Sequence, residues 1–151
     1  MRMLRVAVAL AATVLVTGCV SHPVSPARTY ETYEDKAATT AEAALSAVST
    51  TILAAQAGTD GDAWGPYLSI LVSEQEDELT AVQGTFASIQ PPDARSDALR
   101  RQLSDLLTPA VDHVAQVRIM VRRGRLDDLT TTAQPLNDDQ RQLQAFLKVH
   151  Q

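Results

Sequence analysis

Cys19 is the only cysteine in the 151-residue chain, and the residues before it give its thiol a context. Arg2 and Arg5 make a basic start, Val6 to Val16 is almost wholly apolar, and Val16-Thr17-Gly18 brings small residues up to the cysteine. A charged start, an apolar middle and a small-residue end are the three parts of an export signal. The apolar run is too short to span a bilayer as a helix, which takes about 20 residues.

The last four residues of this stretch, Val16-Thr17-Gly18-Cys19, resemble the lipobox of a bacterial lipoprotein signal. The resemblance covers the first nineteen residues. It implies a thioether-linked diacylglyceryl group on Cys19, cleavage between Gly18 and Cys19, and a lipid-bearing N-terminus on the extracytoplasmic side of a cell membrane or outer envelope. One acyl chain holds a protein at a bilayer only marginally, whereas two hold it stably. Two other readings of these residues stay open. Thr17 and Gly18 would also suit a general signal peptidase, which would leave Cys19 unpaired in an oxidising compartment; an uncleaved anchor is the other. A lipidated Cys19 leaves no cysteine for a disulfide, a thiolate nucleophile or a Cys-based metal site. In composition and layout the remainder is similar to small actinobacterial helical lipoproteins of unknown function, and no family-specific binding residue maps onto it.

The other chemistry-bearing residues form no recognised constellation. The histidines are His22, His113 and His150; none has another histidine at helical spacing, and no Glu-x-x-His pair of the di-iron kind occurs. His113, beside an apolar seam, reads best as a boundary histidine with its polar atoms satisfied. Asp60-Gly61-Asp62 lacks the further oxygens and the closing glutamate of a calcium loop and reads as a turn. There is no Gly-x-Ser-x-Gly elbow and no glycine-rich phosphate cradle. The carboxylates of Glu74-Gln75-Glu76-Asp77-Glu78 point in different directions on a helix, so they read as a solvated run and not as an acid–base pair. No catalytic residue, metal or cofactor is therefore expected. Two groups remain as candidate interaction residues. Trp64, the only tryptophan, sits with Tyr67 at a turn, where aromatic residues either cap a core or contact a partner. Arg118, Arg122, Arg123 and Arg125 cluster before and after Gly124, where they suit either capping of a helix C-terminus or docking of an anionic group.

The elements that must position these residues are helical. Residues 1–18 are the expected signal, residues 19–31 a lipidated N-terminus and short tether carrying Pro23 and Pro26, and residues 32–149 the folded domain. Removing the signal leaves 133 residues, enough for one domain with a real core. Apolar residues recur at steps of three and four in four segments. Ala37, Ala41, Ala44, Val48, Thr51 and Ala55 mark the first, and Leu68, Val72, Leu79, Val82 and Phe86 the second. Leu99, Leu103, Leu106, Ala110, Val114, Val117 and Val121 mark the third, and Leu126, Leu129, Ala133, Leu136, Leu143 and Leu147 the fourth. Gly-rich or Pro-rich turns separate them. This pattern predicts an all-α fold, an antiparallel up-down-up-down four-helix bundle with a kink near Pro109 and a break near Pro135.

Charge narrows the role further. The formal net charge is −5, and it becomes −7 once Arg2 and Arg5 are removed with the signal. That is the wrong sign for a general nucleic-acid binder. Residues 30–90 carry ten acids against one base, Lys36, while residues 91–151 are nearly balanced. Complementarity between packed halves is the simpler explanation; an acidic face for a cationic partner is the other. The sequence as a whole predicts a membrane-anchored envelope protein without catalytic equipment that binds an envelope protein. A small-molecule or lipid site in a cleft near the Pro109 kink is the second reading.

Overall fold

The computed structural model describes residues 26–150; the export signal, Cys19 and most of the tether lie outside the described residues. Helix α1 (Tyr30–Thr59) opens where Thr29 turns to extended backbone and its hydroxyl accepts from the Thr32 amide, which satisfies one otherwise unpartnered donor of the first turn. It begins two residues before the expected start of the folded domain at residue 32, and Ala27 and Tyr30 are buried with it. Helix α2 (Gly65–Ser88) carries Pro66 in its first turn, where a missing amide proton costs nothing. Helix α3 (Ala94–Arg122) starts at Asp93, whose carboxylate accepts from the Ser96 amide at 2.8 Å. That bond, with the helix-start amides around it, holds the Asp93 carboxyl below the usual carboxylate range.

Both ends facing away from the tether close in the same way. Gly61 and Gly124 adopt positive φ, which glycine reaches without steric penalty. The amides that follow, Asp62 and Arg125, return to the carbonyls of Ala57 and Met120 at 2.9 and 3.0 Å. These are Schellman closures, which satisfy the last carbonyls of a helix.

Beyond Gly124 the structure corrects the expected four-helix bundle: the described residues form an all-α domain of five α-helices. Instead of a fourth helical segment interrupted only near Pro135, the chain makes a 3-10 turn (Leu126–Asp128), a single helical turn α4 (Leu129–Thr132) and then α5 (Leu136–His150). The interruption between α4 and α5 falls at Pro135, which has no amide to donate to Thr131, so the regular ladder gives way to i→i+3 turns there. The Ala133 amide closes α4 onto Leu129 at 2.8 Å, and the Leu136 amide restarts the chain on Ala133 at 3.0 Å. Asn137 and Asp138 lie inside the first turn of α5. Pro109 behaves differently, because α3 continues through it as one element. Its apolar face resumes in phase, with Ala110, Val114, Val117 and Val121 all buried, so packing on both sides of the proline offsets the lost hydrogen bond.

In the packed domain α1 lies against α2, α3 and α5, and α3 lies against α2 and α5. The buried face of α1 is mostly alanine, including Ala37, Ala41, Ala44, Ala47 and Ala55. Small side chains let neighbouring helices approach closely but fill little volume each, so larger residues opposite them complete the core. Phe86, Leu79, Leu103, Leu107, Leu136 and Leu143 do so at exposures of 1% or less. At the end where the tether enters, the Glu34 carboxylate accepts from the Tyr30 hydroxyl and meets His150 Nδ1, each at 2.8 Å. The His150 hydrogen bond is the main cause of a lowered Glu34 pKa. Its contribution to stability is therefore present above the ordinary glutamate range and lost as pH falls through the lowered value.

Candidate functional site

The end of the domain remote from the tether is where the interhelix turn 60–64 meets the turn after α3. Thr59 joins the two: its hydroxyl lies 3.2 Å from the Leu126 carbonyl and accepts from the Thr130 amide and hydroxyl at 3.1 and 2.9 Å. Gly58 shows how tightly this corner packs, since a Cβ there would stand 2.7 Å from Leu129 Cδ1 and 2.9 Å from Leu68 Cδ1. The turn and the start of α2 are thus fixed to a rigid support.

On that support Trp64 is 76% exposed and Tyr67 58% exposed. Neither caps the core. Ile70, which the sequence reading passed over, is 62% exposed and stands three residues further on the same helix. Its signal was present in the spacing, because Ile70 falls about 200° around the helix from Leu68 at 3.6 residues per turn. The three large apolar residues continue at helical spacing into Glu74 and Glu78, both exposed. Exposed apolar residues are ordinary when scattered, whereas these three fall within successive turns of one short stretch.

The arginines do not form one cluster. Arg118 pairs with Glu76 through two guanidinium nitrogens, tying α3 to α2, and that pairing is the main reason its pKa is raised. Arg122 donates to the Ser73 hydroxyl at 3.3 Å, and Arg125 donates to Asp128 at 2.8 Å within its own turn. Arg123 is exposed and makes no ion pair among the described residues. Three of the four are therefore engaged in holding helices and turns, and none pairs with Asp60 or Asp62.

The expected complementarity between halves is realised in part. Glu34 and Glu76 pair with His150 and Arg118 of the other half. Glu74 and Glu78 make no ion pair among the described residues and leave α2, which has no basic residue, with an uncompensated acidic stretch.

His113 Nδ1 lies 2.6 Å from the carboxylate of Asp139, which is 6% exposed. The pair joins α3 to α5 across a separation of 26 residues. His113→Ala is expected to lower stability by about 1–3 kcal/mol, because it leaves a buried acceptor without its partner. A urea midpoint measures this, and His113→Leu/Asp139→Leu is expected to lose less than the single variant, since both polar groups then leave together.

No group of three or more His, Cys, Asp or Glu side chains converges among the described residues. No helix among them is long and apolar enough to cross a membrane. A groove between α1 and α2 is lined by Lys36, Thr39, Ala43, Val82 and Ile89, and a second, at the tether end, by Ala27, Arg28, Ile89, Pro91 and Pro92. Pro109 lines neither.

Fold and site together define an all-α domain whose most distinctive feature is an exposed apolar and acidic helix ridge. No family model, curated protein or solved structure matches the chain. The expected likeness to small actinobacterial helical lipoproteins is accordingly set aside, as is the four-helix description that accompanied it.

Proposed function

We propose that the protein is attached to the extracytoplasmic face of a membrane through Cys19 and acts there as a non-catalytic module that binds another envelope protein. The observation that carries the binding role is the exposure of Trp64 at the cap of α2 and of Tyr67 and Ile70 in its first turns, three of the five large apolar side chains exposed among the described residues, the others being the isolated Leu53 and Val149. Tryptophan and tyrosine are over-represented among the few residues that dominate binding energy at interfaces. The attachment rests on the signal-like residues 1–18 and on Cys19. A ligand cleft at Pro109 gains no support, because the helix packs through that position and Ala110 beside it is fully buried.

The test is quantitative co-purification of the full-length protein from native membranes in mild detergent. A specific protein is expected to be enriched with wild type and reduced about tenfold or more with Trp64→Ala/Tyr67→Ala, as for loss of interface anchors. Thermal unfolding of the double variant should match wild type, because both side chains are mostly in solvent. Recovery of no protein above background from wild type would overturn the interaction role.

A further inference from the structure

The acidic residues beside the aromatic pair say what kind of partner the surface fits. After Trp64 at the cap, the exposed positions of α2 run through Tyr67 and Ile70 to Glu74, then Glu78 and Ala81, at steps of three and four. Such positions share one face of a helix. The first turns of this face are apolar and the next two are negative, with no basic residue anywhere on α2. Glu76, which Arg118 neutralises, points to the α3 side, so the neighbouring Glu74 and Glu78 are left to face solvent.

We propose that this ridge is a docking surface for a cationic amphipathic segment of another protein, an inference that rests on the interaction role proposed above. Apolar residues of the segment seat on Trp64, Tyr67 and Ile70, and lysine or arginine residues one to two turns away meet Glu74 and Glu78. Other occupants fit less well. A second copy presenting the same ridge would offer no cation to Glu74 or Glu78, and in the two-fold arrangement would set those carboxylates against the partner's apolar end. Anionic lipid would be repelled by the same carboxylates. Geometry adds to this: α1 has 30 residues and a rise of about 1.5 Å per residue, so the ridge begins roughly 45 Å from the end where the tether enters.

The experiment places a photoreactive benzoyl-phenylalanine at Ala81, at the acidic end of the ridge, and separately at Ala145 on α5, in full-length protein in native membranes. Both positions are exposed. Irradiation at position 81 is expected to capture a protein segment of net positive charge. Its yield should fall about tenfold or more with Glu74→Lys/Glu78→Lys, and it should also fall as salt is raised. Unchanged thermal unfolding of the charge variant shows that the loss is not one of folding. Capture of a neutral or acidic segment, of lipid or of a second copy, or a yield indifferent to charge reversal, overturns the proposal. Adducts from position 145 alone overturn this surface and leave the interaction role standing; adducts from neither position overturn both.

Discussion

Phe86→Ala is expected to destabilise the domain by about 3–5 kcal/mol, the range for removing a fully buried aromatic ring. The ring is 1% exposed and meets Tyr33 of α1 at a centroid distance of 5.3 Å and an interplanar angle of 49°. Cost at such a site depends on whether neighbours can collapse into the space. Here they are poorly equipped to do so, because the buried positions following Tyr33 on α1 are Ala37, Ala38 and Ala41, whose side chains cannot swing inward. Domains of this kind have about 5–15 kcal/mol of stability in all, so the variant should lose a large share of it. Urea unfolding should show a lower midpoint with an unchanged slope. Tyr33→Phe provides the contrast. The Tyr33 hydroxyl is buried without a hydrogen-bond partner among the described residues, and removing it is expected to leave stability unchanged or raise it by about 1 kcal/mol, since an unsatisfied buried group carries a desolvation cost. A loss of more than about 1 kcal/mol from Tyr33→Phe would mean that the hydroxyl is satisfied, and the packing account of this layer would fail with it.

The contrast between Phe86 and Ile70 shows what the sequence made legible. Phe86 lies on the stripe shared with Leu68, Val72 and Leu79, and one helical period places all four in the core. Ile70 lies off that stripe, so its exposure could have been read from the same period; it was masked by Leu71 and Val72 beside it, which make the stretch look uniformly apolar. The starts of α2 and α3 were also legible, since proline in the first turn and Asp93 before an apolar run are local signals. The helix count was not. A continuous, kinked helix at Pro109 and a break near Pro135 were expected, but the 3-10 turn and the single-turn α4 ahead of Pro135 were not. Ala110, Val114 and Val117 hold one helix together through Pro109, whereas near Pro135 the chain is already committed to a short turn tied to Thr59. Pairings between distant residues were out of reach altogether. Nothing local distinguishes Glu76, which binds Arg118 at a separation of 42 residues, from Glu74, which stays in solvent.

On the proposed attachment, Cys19→Ser is expected to move the protein from the membrane fraction to the soluble fraction almost completely. Each buried methylene of an acyl chain contributes about 0.8 kcal/mol, so loss of two chains removes far more than any surface contact of the domain could replace. No described helix offers a substitute, since none is long and apolar enough to span a bilayer. Mass measurement of the mature N-terminus checks the cause, because wild type should carry the lipid on Cys19 and the variant none. An unmodified Cys19 in native protein, or a Cys19→Ser variant that sediments as wild type does, would refute the attachment. The geometry of the domain makes a second consequence separable from the first. The tether enters beside Pro91 and Pro92, while Trp64 opens the ridge at the far end of α1. Cys19→Ser should therefore lose the membrane while keeping a folded ridge, its partner capture weakened only through the lost effective concentration. Glu74→Lys/Glu78→Lys should do the reverse, staying on the membrane and losing the partner. A single variant that lost both at unchanged fold would contradict the placement of attachment and recognition at opposite ends of α1.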